Sequence, residues 1–538
     1  MNRTVANRAL VLLTLLVMLS SFTACGAPPT TATPESQATA GSASTAVPPA
    51  TPQPAGPKIL TVRLVNDVSN MDPGYRPSTA EDEILLCIMQ GLVAYKPGTT
   101  EVVNVLAESI TPSADGLRID FKLKEGVQFQ GGYGEVTAED VKFSYERYID
   151  PALDVPEKVN WSQLDRVDVT GKYTGTIVMK GRFAPLWVNT LPYMAGVVMS
   201  KKYVEQNGAD AYVKHPIGTG PYEFVEWIPD QNVILKPFEG FRGTKPEWDE
   251  IRFVPVVDDS AAEIALETGE LDFAPIPETL VERFTANSDF NIVKIVPFSY
   301  DGLLMNVQHP NLMDINVRQA IRYAIDVPAI IEVAYGGLAT RACALLAPGQ
   351  LGFWEDAPCY ERDVVKAKQF LAQASAAPVG LTITTLNGEK DRQVGELIQA
   401  NLADVGIPAE VVVQDDAAYW DGGFGEPGLK DRQLTYIRWS STGTDPSYNT
   451  SWFTCEQVLQ WNWMYWCSEK YDQYHFGALE EMDQAKRAEM YVQLQRVWDE
   501  AVNVVWTVHP ADFFAVRRGI QAVLTPLAIP LPWAFTAE

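Results

Sequence analysis

Adjacent acidic residues are the side chains of this sequence that come closest to a catalytic pattern. Asp258 precedes Asp259 and Asp415 precedes Asp416, and glycoside hydrolysis needs two carboxyl groups across a cleft. Adjacent acids at loop positions, however, are usually solvated. The sequence also lacks a Gly-x-Ser-x-Gly elbow, a P-loop, a dinucleotide fingerprint and a metalloprotease helix. We therefore expect no enzyme, and a secreted hydrolase is the alternative from another class.

Histidine and cysteine, the usual transition-metal ligands, are scattered along the chain. No Cys-x-x-Cys pair occurs, and no His-Glu-x-x-His spacing is present,. The four histidines are His215, His309, His475 and His509. We predict no protein-built metal site and no cofactor.

The amino terminus has the order of an export signal. Arg3 and Arg8 precede an apolar run over residues 9–19, and small residues then lead to Cys25,. The run is shorter than the roughly 20 residues of a membrane-spanning helix. This segment resembles the signal of a bacterial lipoprotein, which predicts a signal peptide over residues 1–24 and lipid attachment at Cys25. Residues 25–57, rich in Ala, Thr, Pro and Ser, are predicted to be a disordered tether that anchors the protein to the membrane.

Five cysteines remain in a chain that we expect to enter an oxidising compartment. We pair Cys343 with Cys359 and Cys455 with Cys467, because both pairs flank loop-like sequence and close short rings. Each ring contributes about 3 kcal/mol of stability in the chain-entropy view. Cys87 lies in an apolar run and is predicted to be a buried thiol.

The body of the chain is globular in composition. It is 46% hydrophobic and 20% charged, and its length allows two or three lobes with separate cores. A formal net charge of -26 at pH 7 argues against nucleic acid as a partner. We attribute the acidity to solubility outside the cell.

Hydrophobic periodicity predicts alternating strands and helices. Thr137 with Asp140 forms a capping box that starts a helix. The patterns predict strands over residues 59–65, 119–123, 381–386 and 410–414, and helices over residues 83–92, 394–405 and 480–501. Strand, helix and strand between residues 381 and 414 imply a parallel pair with a right-handed crossover. The fold class is α/β.

Several short motifs, in order along the chain, resemble the extracytoplasmic solute-binding proteins of peptide and nickel ABC importers. They are Met71-Asp72-Pro73, Gln90-Gly91-Leu92-Val93, Leu106-Ala107-Glu108-Ser109, Leu123-Lys124-Glu125-Gly126-Val127, Thr137-Ala138-Glu139-Asp140, Pro216-Ile217-Gly218-Thr219-Gly220, Leu266-Glu267-Thr268-Gly269 and Asp314-Ile315-Asn316-Val317-Arg318. The resemblance runs from about residue 59 to the carboxyl terminus.

The resemblance implies a periplasmic-binding-protein-like fold of two lobes with a ligand cleft between them. One lobe is expected over residues 58–98, 207–299 and 505–538, with an inserted subdomain over residues 99–206. The other lobe is expected over residues 300–504. Ligand closes such a cleft by domain rotation.

A second implication concerns the ligand. Family members that hold peptides carry an aspartate, three residues after a tryptophan, that pairs with the free amino group of the ligand. In the matching stretch Trp439, Asp445 and Pro446 agree with the family, but Thr442 stands in the place of the aspartate. A hydroxyl group does not neutralise a buried ammonium. We expect Trp439, Ser440 and Thr442 to contact the ligand, and Asp445 either to substitute for the aspartate or to fix the turn before Pro446.

Aromatic residues are dense between residues 448 and 476. Most of them are expected to form a small core stapled by Cys455 and Cys467, while one or two face the cleft and stack on the ligand. Arg76 and Tyr300 are further ligand-binding candidates from their expected positions alone.

These observations give one functional hypothesis. The chain is expected to be a monomeric lipoprotein outside the cytoplasm that captures a small solute and delivers it to an ABC permease. Peptides or peptide-like molecules are the expected ligands, and oligosaccharides and metal chelates are the alternatives. A surface adhesin, a third class, would lack the cleft.

Overall fold

The computed structural model describes residues 56–439 and 443–538. The predicted signal peptide, Cys25 and nearly all of the predicted tether lie outside these residues, as do Ser440 and Thr442. Within the described part of the chain, no helix is both long and apolar enough to cross a membrane.

The strands, in chain order, alternate with helices as the sequence predicts. Their bounds are β1 Ile59–Leu64, β2 Val93–Tyr95, β3 Val102–Asn104, β4 Ala107–Pro112, β5 Arg118–Leu123, β6 Leu164–Gly171, β7 Thr174–Met179, β8 Tyr222–Ile228, β9 Asn232–Pro237, β10 Glu250–Pro255, β11 Phe273–Ile276, β12 Phe290–Ile295, β13 Tyr300–Met305, β14 Thr340–Arg341, β15 Leu381–Leu386, β16 Ala409–Gln414, β17 Leu434–Trp439, β18 Val504–His509, β19 Asp512–Arg517, β20 Ile520–Gln521 and β21 Thr536–Ala537.

The α-helices are named in the same way. Their bounds are α1 Thr79–Ile88, α2 Ala138–Glu146, α3 Lys201–Asn207, α4 Ala211–Lys214, α5 Asp259–Thr268, α6 Glu278–Ala286, α7 Ile315–Ala324, α8 Val327–Ala334, α9 Val364–Gln373, α10 Glu389–Asp404, α11 Asp416–Asp421, α12 Gly425–Asp431, α13 Pro446–Ser451, α14 Glu469–Glu480 and α15 Gln484–Ala501.

Three larger sheets organise these elements. A seven-stranded sheet has the order β12-β19-β11-β1-β10-β9-β8, and a six-stranded sheet has the order β14-β18-β13-β17-β15-β16. A smaller sheet, β4-β5-β7-β6, packs against α2 over its own core. We call the seven-stranded and six-stranded parts the first and second lobes, and the part built on the smaller sheet the inserted subdomain.

The chain connects the two lobes between adjacent strands of different sheets. β12 of the first sheet is followed by β13 of the second, and β18 of the second is followed by β19 of the first. Short connections of this kind can act as a hinge. The lobe boundaries given by the sequence analysis stay a prediction.

Burial patterns explain why these segments become strands of different kinds. β5 alternates exposed and buried residues, as a strand with one solvated face does, whereas every residue of β13 is buried,. β15 and β16 pair in parallel over six residues, with α10 between them in sequence. The predicted parallel pair around a helix is confirmed.

Two helix predictions needed correction at their ends. The helix expected over residues 83–92 spans Thr79–Ile88. It begins early because the Ser78 hydroxyl caps it and accepts from the Ala80 amide,, and it ends before Met89, whose backbone is extended. The helix expected over residues 480–501 is present as α15, but it begins at Gln484 because Asp483 caps it, and Glu480 is the last residue of α14. Both errors come from caps that the apolar pattern does not reveal.

The Gly-rich turn after α4 ties the inserted subdomain to the first lobe. Gln130 accepts from the Gly218 amide at 2.9 Å and donates to the Tyr222 carbonyl at 2.8 Å. A Cβ on Gly218 would lie 2.1 Å from the Ile88 carbonyl oxygen. The glycine is therefore required by the close approach of α1.

Both predicted disulfides are present. Cys343 and Cys359 have Cα atoms 4.8 Å apart, and those of Cys455 and Cys467 are 4.5 Å apart, within the range of disulfide-bonded pairs. Cys87 is a buried free thiol, as predicted.

Candidate ligand cleft

The carboxyl ends of parallel strands mark one edge of each large sheet. β1 runs parallel to β10 and β11, and β15 runs parallel to β16 and β17. Tyr300, the first residue of β13, pairs with Trp439, the last residue of β17, so both lie at the edge where the chain enters the second lobe. Ligands of α/β sheets bind outside the carboxyl ends of strands. The candidate cleft lies between these two edges.

Trp439 is partly exposed at this edge and contacts other indoles. Its ring centroid is 5.2 Å from that of Trp452, 5.6 Å from that of Trp461 and 5.9 Å from that of Trp420. These four partly exposed rings border the core of the second lobe. The geometry leaves Trp439 with some ring surface for a ligand.

Four other aromatic residues near the Cys455–Cys467 disulfide are structural. They are Phe453, Trp463, Tyr465 and Tyr471, and each is at most 1% exposed. Their burial agrees with the small core that the sequence analysis expected around this disulfide.

Tyr300 lies beneath the cleft edge rather than on it. It is fully buried, and its ring centroid is 5.3 Å from that of Trp506. Its hydroxyl group has no hydrogen-bond partner among the described residues. Burial raises its pKa, with a smaller contribution from Tyr448, so it remains a neutral phenol.

The positive charge of Arg76 is compensated by acidic side chains around it. It pairs with Asp82, lies 3.5 Å from Glu157 and faces the Tyr193 ring. Its side chain is 10% exposed.

Asp445 has a structural setting. Its carboxylate caps α13 by accepting from the Ser447 amide at 2.9 Å, and it pairs with Arg487 at 2.5 Å. Tyr491 also donates to it at 3.3 Å. Because the carboxylate is 0% exposed, the geometry matches the role of fixing the turn before Pro446. The neighbouring candidates Ser440 and Thr442 keep their predicted ligand contacts as predictions.

Thr444 and Asp445, which follow Ser440 and Thr442 in the chain, bind the inserted subdomain. Asn189 accepts from the Asp445 amide at 2.8 Å, and Thr444 donates to the Val188 carbonyl at 2.9 Å. The hydroxyl groups of Tyr95 and Thr444 are 2.6 Å apart. The segment with the predicted ligand contacts is therefore followed directly by a contact between the inserted subdomain and the second lobe, which we call the Asn189 contact.

Arg438, which precedes Trp439 in β17, contacts charged side chains that the sequence analysis missed. Arg438 is 3.6 Å from Asp301 and 3.7 Å from Asp391. Tyr335 donates to Asp301 at 2.5 Å. Burial, opposed by Arg438, raises the pKa of Asp301 to about 6. For Arg438, its position beside the motif was the one sequence signal of a role at this site. For Asn189 the sequence gave no such signal.

An α/β body of two lobes with a cleft between them defines the class of periplasmic binding proteins. The chain belongs to the bacterial extracellular solute-binding proteins, family 5, whose profile matches residues 101–458. The predicted family and fold are confirmed.

Known proteins of similar sequence and structure cover nearly the whole body. The glutathione-binding protein GsiB of Escherichia coli O1:K1 / APEC is 29% identical over 477 residues, 86% of this chain and 90% of the relative. The dipeptide-binding protein of Escherichia coli (strain K12) is 28% identical over 498 residues, 84% of this chain and 89% of the relative. The structure of HbpA2 from Haemophilus parasuis has a TM-score of 0.80 at 22% identity, covering 89% of this chain and all of that one.

The Asn189 contact should be sensitive to a methyl group added at Gly443. A Cβ on Gly443 would lie 2.8 Å from the Asn189 amide, so Gly443→Ala should push Asn189 from the Asp445 amide and open the cleft. We expect a larger radius of gyration in small-angle X-ray scattering, and the same direction for Asn189→Ala. Gly477→Ala is the matched control, because its Cβ meets only Met490 at 3.7 Å. An unchanged radius in both variants would show that this contact does not hold the inserted subdomain against the second lobe.

The buried carboxyl group predicts a pH dependence. With its folded pKa raised, Asp301 keeps its proton to higher pH than in the unfolded chain, so its ionisation lowers stability as pH rises from about 4 to about 6,. The penalty is roughly 3 kcal/mol. The melting temperature of Asp301→Asn relative to the unsubstituted protein should therefore rise between pH 4.5 and pH 7.5.

Asp314→Asn provides the control of opposite sign. Hydrogen bonds from the Ser375 and Asn316 amides lower the pKa of Asp314, so its carboxylate stabilises the fold above the unfolded pKa. This variant should lose relative stability as pH rises from about 2 to about 4 and show no trend between pH 4.5 and pH 7.5, because Asp314 is ionised in both states there,. If Asp314→Asn shows the same rise as Asp301→Asn between pH 4.5 and pH 7.5, the assignment to Asp301 is wrong.

Proposed function

We propose that this chain is the lipid-anchored receptor of an ABC importer that captures a peptide or peptide-like solute between its lobes. The observation that carries the proposal is the position of the motif residue Trp439 at the cleft edge, beside the Asn189 contact. Relatives named for binding glutathione and dipeptides support this ligand class.

Capture uses the two halves of one segment. Trp439 walls the solute and the hydroxyl of Thr442 accepts a hydrogen bond from it, while Thr444 and the Asp445 amide bind the inserted subdomain. A solute that contacts the first half thereby favours the closed arrangement of the second half. Closure creates the surface that the permease recognises, and the solute is released without chemical change.

Cys25 is the proposed site of lipid attachment, and residues 26–57 the tether that keeps the monomeric body near its permease. Oligosaccharides and metal chelates remain alternative solutes for the same receptor. A hydrolase, by contrast, would convert its ligand to products.

The first test records thermal unfolding of the full chain against di- to pentapeptides, oligosaccharides and metal chelates. A solute at a hundredfold excess over its Kd should add about 2.7 kcal/mol of stability. Trp439→Ala should abolish most of this gain with a small change in the ligand-free melting temperature.

Trp466→Ala is the matched control, because Trp466 is also partly exposed but packs behind the cleft, against Tyr471 and Trp498. If Trp439→Ala destabilises the ligand-free protein as much as it reduces the peptide-induced gain, Trp439 is a core residue. Stabilisation by sugars or chelates alone would keep the receptor and overturn the peptide assignment.

Thr442→Asp tests the departure from the family motif. A carboxylate at this position should pair with a free amino terminus and strengthen binding of unblocked dipeptides at least tenfold, which corresponds to about 1.4 kcal/mol. Acetylated dipeptides should gain nothing, and Thr442→Asn, which adds an amide without charge, is the control. Equal affinities in the three proteins, measured by isothermal titration calorimetry, would refute the role assigned to Thr442.

A further inference from the structure

Six charged side chains meet where the edges of the two large sheets face each other. Two belong to the first lobe and four to the second, and together we call them the charged crevice. They are Glu278, Asp512, Asp301, Lys390, Asp391 and Arg438.

The first lobe contributes two carboxylates from neighbouring strands. Ile276 of β11 pairs with Phe513 of β19, so Asp512 lies beside Pro277 and next to Glu278, the first residue of α6. Asp512 is exposed, whereas the following four residues of β19 are buried. Burial by surrounding atoms nevertheless raises its pKa, with Glu278 adding to the effect. The register of β11 and β19 thus places Asp512 beside the pair formed by Glu278 and Lys390.

The second lobe contributes two cations and two further carboxylates. Lys390 pairs with Glu278 at 2.5 Å and so bridges the lobes. Arg438 faces Asp301 and Asp391 at 3.6 and 3.7 Å, distances too long for good hydrogen bonds. Its side chain is 39% exposed, which leaves the crevice accessible to a solute.

The crevice has more negative than positive groups. Four carboxylates face two cations, a formal charge of -2 when all are ionised. Asp301 is 1% exposed, and its Oδ1 atom has no hydrogen-bond partner among the described residues. A buried carboxylate oxygen without a partner is costly. The arrangement therefore lacks a positive group.

We propose that the charged crevice binds a positively charged group of the captured solute, an ammonium or a guanidinium, between Asp512 of the first lobe and Asp301 and Asp391 of the second. This inference rests on the proposed receptor function and names its substrate class as cationic peptide-like solutes. Such a group would reduce the local charge from -2 to -1, whereas a carboxylate would increase it to -3. Contacts with both lobes also couple recognition of the charge to closure.

The site differs from the family position occupied here by Thr442. Arg438 immediately precedes Trp439 in β17, and consecutive strand residues face opposite sides of a sheet, so the charged crevice and the indole lie on the two sides of the same strand end. The carboxylates that the motif lacks are thus supplied from distant segments, by residues that no local motif connects.

The test uses the full chain and matched pairs of dipeptides. Acetyl-Ala-Lys and acetyl-Ala-norleucine differ only by the side-chain ammonium, and Ala-norleucine with a free amino terminus places the charge elsewhere. Isothermal titration calorimetry at low salt should give the lysine peptide at least tenfold higher affinity than its norleucine counterpart, with a smaller ratio at high salt. A gain for the free amino terminus instead would identify the terminus as the bound cation.

Asp512→Asn should reduce the preference for the cationic peptide at least fivefold and leave acetyl-Ala-norleucine unaffected. Asp512 is exposed, so the substitution should not impair folding. Glu410→Gln, which removes an exposed carboxylate from the edge strand β16, is the control and should keep the full preference.

The outcomes separate this inference from the receptor proposal. Equal affinity for charged and uncharged peptides, or a preference that survives Asp512→Asn, would overturn the inference while the receptor stands. No binding by any of the three peptides would overturn the peptide assignment and the inference together.

Discussion

The ion pair between Asp445 and Arg487 fixes the part of the chain on which the candidate cleft depends. Their side chains are 0% and 4% exposed, and breaking such a pair leaves an uncompensated buried charge that costs several kcal/mol. Through this pair α15 holds the start of α13, and the amide of the same aspartate reaches Asn189. The segment that follows Trp439 is therefore anchored at its far end. Because this anchor is rigid, a small displacement of the segment at the ligand is transmitted to the inserted subdomain.

The cleft combines two chemically different walls. On one side of the β17 edge, Trp439 continues into partly exposed indoles above a dense aromatic core. On the other side, Arg438 lies beside the carboxyl groups of Asp301 and Asp391. A solute with an apolar part and a charged part would find a complementary surface for each. Such a division gives specificity because a ligand lacking either part leaves one wall unsatisfied.

The sequence predicted the elements whose signals are local. The β15–α10–β16 unit and the Thr137 capping box follow from periodicity and from hydroxyl–acid spacing, and both are present. Ser78 and Asp483 were missed because a cap depends on backbone geometry as much as on residue type. Arg76 and Tyr300 were chosen as ligand-binding candidates by position alone. In the structure Arg76 forms an ion pair with Asp82, and Tyr300 is fully buried.

Long-range contacts could not be predicted in the same way. Asn189 and Asp445 are 256 residues apart in the chain, and Asp301 and Asp391 meet only because β13 and β17 pair beside α10. No periodicity or motif connects such residues. The family resemblance gave the place of Trp439, but the charges beside it depend on this chain's own side chains and were visible only in three dimensions.

The position of β19 has a consequence for the order in which the protein can fold. This strand lies between β11 and β12, although it comes more than 200 residues later in the chain. The seven-stranded sheet therefore cannot close until almost the entire polypeptide has been synthesised, and its long-range pairing makes closure slow. Until then β12 has no neighbour in this sheet. The first lobe therefore completes its sheet last, and if the predicted leader directs the chain across a membrane, this sheet is completed only after almost the whole chain has crossed.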